Sequence, residues 1–201
     1  RYAFPLMIYS LGGIGYSHGY RVIISNQLSL QNLAIFSIAG QIASAYYLAA
    51  ASCVTGLYPK AYLRLEENNG KPAAIQFYLR ALLYIGLGLL IVILPVAYFF
   101  LVFFKSGLFM PAFEILPILL AGQFIFFLYG YNYVLCTFFK QTKILTYAMG
   151  IGVTISLGIA SFILKKDTLW TAALPITCGF FMQFIVSFII IRTITSKRNL
   201  I

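Results

Sequence analysis

Charge is spaced so unevenly along this chain that it dictates the fold class before any motif is considered. Ionisable residues leave six charge-free runs, at 2–20, 22–59, 81–104, 115–139, 144–164 and 168–191. A helix needs about 20 mostly apolar residues to cross the hydrocarbon core of a bilayer, so each run holds one span. The 201 residues include 14 Lys/Arg and 4 Asp/Glu, with 62% hydrophobic and 9% charged. Soluble domains carry about 25% charged residues, and this chain cannot clothe a water-facing surface at its length. Soluble enzyme, nucleic-acid binder and disordered chain are excluded. The expected fold is all-α and integral to the membrane: a single six-helix transmembrane bundle over 1–201.

The span rule places the helices near 2–20, 33–57, 81–104, 115–137, 144–164 and 169–191. The opening apolar stretch lacks a charged leader or cleavage pattern and reads as a span, not a signal peptide. Six spans put both termini on one side. That side carries ten cations: Arg1, Lys60, Arg64, Lys71, Arg80, Lys140, Lys143, Arg192, Lys197 and Arg198. The other carries four: Arg21, Lys105, Lys165 and Lys166. Excess Lys/Arg marks cytoplasmic loops, so both termini are expected in the cytoplasm, and the net charge of +10 is an orientation and headgroup signal. The largest connection, the cytoplasmic loop 58–80, contains the turn cluster Glu66-Glu67-Asn68-Asn69-Gly70-Lys71-Pro72. Short surface helices are expected on either side of it, at 60–67 and 73–80. Tyr58, Tyr62, Phe77 and Tyr78 fall near inner span ends, as interfacial aromatics do.

Little in the chain can do covalent chemistry. Paired acids in a DxD, an HxxxD and an HExxH are all absent, so no base, nucleophile or metal set is in evidence for catalysis. His18 has no acid nearby in sequence and reads as a neutral hydrogen-bonded residue. Cys53, Cys136 and Cys178 are far apart and behave as small hydrophobes. The chain is therefore expected not to be an enzyme, and to need no cofactor beyond a possible proton or sodium gradient.

The second span is more informative. Ser37, Gln41, Ser44, Ser52 and Thr55, with Leu48 in register, recur every three or four residues and share one helical face. A polar stripe is costly against lipid, so it faces a partner helix or a wet cavity. Small neighbours such as Gly40 and Ala43 suit close packing equally well. Arg21 closes the first span either as an outer-interface anchor or as a cavity cation. Glu114, between Pro111 and Pro117, is a first-turn acid at a helix start or, more sharply, a coupling group. Gln123 and Asn132 can bond between helices or line the cavity. Pro95 and Pro175 lie inside spans, where they kink a helix.

Taken together, Phe4-Pro5-Leu6, Arg21-Val22-Ile23-Ile24, the stretch from Asn32 to Ala39, Tyr58-Pro59 and the stretch from Phe113 to Tyr129 resemble the Wzx-type O-antigen flippases of the MOP superfamily. Two positions depart from the family pattern: Tyr20 stands where an acid usually precedes the arginine, and Ala34 and Phe36 replace the usual glycine and tyrosine. The resemblance implies that this chain corresponds to the C-terminal six-helix half of a MOP-type transporter, whose N-terminal half is its partner. It implies translocation of an undecaprenyl-pyrophosphate-linked oligosaccharide across the bacterial cytoplasmic membrane by alternating access, perhaps beside a polysaccharide polymerase and glycosyltransferases. Under it Arg21 becomes a pyrophosphate or sugar contact, because a guanidinium suits phosphate geometry. Ser37, Gln41, Ser44, Gln123 and Asn132 become candidate lumen residues, and Glu114 a coupling residue. The alternatives are a multidrug or cation antiporter on the same fold, or a non-transporting scaffold of a glycan-assembly complex.

Overall fold

The computed structural model describes residues 3–26, 28–104, 109–163 and 168–198, with side chains over the same ranges apart from 3, 14–19, 21, 104 and 194–198. Among the described residues every regular element is helical. Seven α-helices follow in order: α1 (Ala3–Ser25), α2 (Leu30–Thr55), α3 (Tyr58–Glu67), α4 (Gln76–Phe104), α5 (Pro111–Phe138), α6 (Lys143–Ile163) and α7 (Leu169–Arg198). Five of them, α2 and α4 to α7, are long and apolar enough to cross a membrane; in α1 the described apolar stretch is Phe4–Gly13. The protein is thus an all-helical, multi-pass membrane protein.

Local chemistry sets the boundaries. Ser29 caps α2 by accepting from the Asn32 N–H at 3.3 Å, satisfying one of the free donors of a first turn. Prolines open α3 and α5, where a missing N–H costs nothing. The turn after α3 passes through Asn69 and Gly70 with φ of 53° and 76°, and the Gly70 N–H returns to the Leu65 carbonyl at 2.7 Å. This left-handed ending satisfies carbonyls that the helix leaves open. Lys140, at φ 58°, ends α5 in the same way, with the Gln141 N–H on the Cys136 carbonyl at 2.8 Å.

The stretch 58–80 differs from expectation at its second half. No separate surface helix occupies 73–80. Pro72–Ile75 forms a single 3-10 turn that runs directly into α4 at Gln76. With 29 residues at about 1.5 Å each, α4 exceeds the roughly 30 Å hydrocarbon core, so its first turns, with Arg80, extend beyond it. Nor is α3 merely superficial: Ala61 and Leu65 are fully buried, and only its other side, with Lys60 and Arg64 over the Phe77 ring at 5.7 and 5.1 Å, stays open.

In the bundle α5 and α7 are central, packed on each other and flanked by α2, α4 and α6, while α1 leans on α6. Two side-chain bonds fix α1 along the bundle. Thr146, at the start of α6, donates to the Pro5 carbonyl at 2.8 Å. Tyr20 donates to the Ala172 carbonyl at the start of α7. The core divides into two clusters, one around Tyr20, Leu101 and Leu116, the other around Leu65, Tyr78 and Leu135 near α3. On α4, Tyr84, Ile91 and Phe103 are three-quarters exposed, which is the apolar belt that lipid covers.

Candidate functional site

Although consecutive, α1 and α2 barely touch, and a cleft of about 510 Å³ lies between them, with α5, α6 and α7 contributing the remaining walls. Its room comes from four glycines, Gly13, Gly40, Gly152 and Gly179, whose missing side chains leave space on four different helices. Its polar groups are Ser10, Ser44, Gln123 and Gln183, and its aromatic wall is Tyr9, Tyr47, Phe126 and Phe180. The rings brace one another: Phe126 lies 4.8 Å from Phe180 and 5.0 Å from Tyr47, centroid to centroid. Gln183 is 5% exposed, and its buried Nε2 has no hydrogen-bond partner. A buried amide left unpaired is costly, so this donor is available to whatever enters the cleft.

Of the residues singled out in sequence, Ser44 and Gln123 are brought together here. Ser37 and Gln41 are not: both lie on α2 but outside the cleft lining, with Gln41 exposed. The bundle-facing side of α2 is Ile35, Phe36, Ala39, Ala43, Tyr46, Ala50 and Val54. The polar stripe therefore faces away from its own bundle, and helix packing within this chain does not account for it. Ser52 and Thr55 donate to the Leu48 and Ala51 carbonyls, both at 2.8 Å, which hides their polarity in their own helix. The side chains of Arg21 and His18 lie outside the described residues. Glu114 is exposed in the first turn of α5, away from the cleft.

Asn132 takes the interhelical role. Fully buried, it donates from Nδ2 to Ser187 Oγ at 2.8 Å and to the Phe184 carbonyl at 3.3 Å, clasping α5 to α7. Interhelical hydrogen bonds in membranes contribute about 0.6 kcal/mol on average, up to roughly 1.7. Asn132→Ala is expected to cost about 1–2 kcal/mol, the cavity included, measurable as a lower thermal midpoint in detergent with cleft binding retained.

Sequence reasoning missed Gln183, Ser10, Tyr9 and Tyr47. Gln183 is a lone amide in the apolar run Phe180–Phe184, with no spacing partner to flag it; only the helix contacts turn it toward Ser44 and Gln123. Among the described residues no ionised side chain lines the cleft, and no three His, Cys, Asp or Glu come together as a metal site. The arrangement offers ring faces, hydroxyls and amides, which is the chemistry of reversible binding to an uncharged polar ligand. No family model, no curated protein and no solved structure matches this chain.

Proposed function

We propose that this chain is a six-span transport bundle that moves a lipid-linked oligosaccharide, of the undecaprenyl-pyrophosphate type, across a bacterial cytoplasmic membrane. The observation that carries the reading is the cleft itself: a space between two barely touching helices, lined by aromatic rings, hydroxyls and amides. A sugar presents apolar C–H faces and a rim of hydroxyls, and such a lining complements both. The missing carboxylate argues against cation or multidrug antiport, which needs an acid in the membrane to hold its ion. Glu114, exposed off the cleft, does not supply one.

The bonds from Thr146 to Pro5 and from Tyr20 to Ala172 support α1 as the sixth span. Six spans place the cation-rich loops and both termini in the cytoplasm. The outward stripe of Ser37, Gln41 and Ser44 then faces a second bundle across a shared lumen, with Arg21 at the outer end of α1 as the phosphate contact.

The test is transport. The protein in its natural form, reconstituted into vesicles with a fluorescent undecaprenyl-pyrophosphate oligosaccharide, is expected to expose the sugar on the opposite leaflet. Ser44→Ala with Gln123→Leu removes two hydrogen-bonding groups, each contributing about 1 kcal/mol, and should slow transfer roughly tenfold or more with helicity unchanged. A wild-type rate in the double variant would overturn the reading.

A further inference from the structure

A second cavity, of about 470 Å³, lies at the α3 end of the bundle. It is built differently from the cleft. Seven tyrosines drawn from α1, α2, α3, α4 and α5 line it, with small and apolar residues such as Ala51, Val54 and Gly130 between them. Tyr9, Tyr47 and Phe126 line both spaces, so these three rings form the partition between cleft and chamber.

Two of the chamber hydroxyls are out of the ordinary. Tyr78 is 0% and Tyr129 2% exposed, and neither hydroxyl has a hydrogen-bond partner. Buried polar groups in folded proteins are paired in the great majority of cases, and leaving one unmade costs free energy. Tyr62, by contrast, is already bonded to Thr137 Oγ1 and serves as wall. The rings that carry the free hydroxyls are held in place: Tyr78 packs 5.8 Å from Tyr58, and Tyr129 stacks 6.0 Å from Phe126 and 6.3 Å from Tyr9. A lining fixed in advance loses little freedom when something binds.

These features select the ligand's chemistry. No ionised side chain lines the chamber among the described residues, so a charged guest would be buried without compensation. A phenol both donates and accepts; an ammonium answers only its acceptor, and a carbonyl only its donor. Hydroxyls answer both, and the ring faces suit an apolar C–H surface. The volume falls within the roughly 300–1,000 Å³ of small-molecule sites. We propose that the tyrosine chamber is a second binding site, distinct from the cleft, for an uncharged, hydroxyl-bearing ring of the pyranose class. The assignment rests on the chamber's own lining and does not require translocation; binding without transport would remove the transport reading and leave the site.

The test uses the full chain in lipid nanodiscs, on a Ser44→Ala/Gln123→Leu background that silences the cleft. Methyl α-glucopyranoside, N-acetylglucosamine and glucuronate are the probes, followed by saturation-transfer NMR and thermal midpoint. Both neutral sugars are expected to bind saturably and glucuronate at least tenfold more weakly. Tyr78→Phe and Tyr129→Phe, singly, should each weaken the neutral sugars about three- to tenfold. Because each removes an unpaired buried hydroxyl and keeps the ring, the ligand-free midpoint should hold or rise, so loss of binding cannot be loss of fold. Absence of saturable binding by either neutral sugar, a preference for glucuronate, or wild-type binding in both Phe variants would each overturn the site, the last showing that water alone serves the hydroxyls.

Discussion

Gly152→Ala is expected to unseat α6 from α7 and to lower the thermal midpoint by several degrees. A Cβ at Gly152 would lie 2.7 Å from the Gly179 carbonyl oxygen and 3.2 Å from Gln183 Cβ. The first obstacle is backbone in the middle of α7, which can yield only if the whole helix shifts. Gly86 makes the contrast. A Cβ there would come 2.6 Å from Phe124 Cε2, but that atom is the far edge of a half-buried ring, and a rotation relieves it. Overpacking a tight core costs about 1–3 kcal/mol, and Gly152→Ala should fall at the upper end. Gly158 on the same helix is the control, since a Cβ there meets nothing within 4 Å; Gly158→Ala should hold or gain up to about 1 kcal/mol through helix propensity. Thermal midpoints in one detergent compare the two directly. Equal midpoints would mean that α6 and α7 do not meet at Gly152 and Gly179. Both glycines and Gln183 line the cleft, so the same substitution should also weaken ligand binding there.

Why the helices were legible and the site only partly so follows from where the information lies. A span must be apolar along its length, and Lys/Arg interrupt apolar runs, so the helices could be located from charge alone. The same logic hid the start of α4, because Arg80 was taken to end a loop, whereas it sits on a helix already under way from Gln76. The stripe on α2 was legible as a face, since register is a property of one helix. Which way that face points depends on α5 and α4, and no periodicity reports it. The tyrosine chamber was out of reach for a related reason. Tyr58, Tyr62 and Tyr78 near span ends read as interfacial anchors, yet all three line the chamber, and Tyr78 is wholly buried. Their neighbours Tyr9, Tyr129 and Tyr133 come from helices far away in sequence, so only tertiary packing unites them.

Gly40→Trp is expected to leave the fold intact and abolish use of the cleft. Gly40 lines the cleft, and a Cβ placed on it meets no atom within 4 Å, so a large side chain has room to grow into the space a ligand would fill. Replacing glycine within a helix also recovers up to about 1 kcal/mol of backbone entropy, which keeps the variant folded. Displacing even a few ring contacts worth about 3 kcal/mol lowers affinity roughly a hundredfold, and transport in reconstituted vesicles should fall by a similar factor. Gly88→Trp supplies the comparison. Gly88 is exposed on α4, lines neither the cleft nor the tyrosine chamber, and its Cβ likewise meets nothing. It adds the same indole to the lipid-facing side, and its transport should match wild type. If both variants transport normally, the space beside Gly40 is not on the substrate's path and the proposed transport role of the cleft fails. If both lose transport equally, the defect belongs to tryptophan in the bilayer, and the cleft loses this support as well. Only an inactive Gly40→Trp beside an active Gly88→Trp, with equal helicity and thermal midpoint, ties transport to the space between α1 and α2.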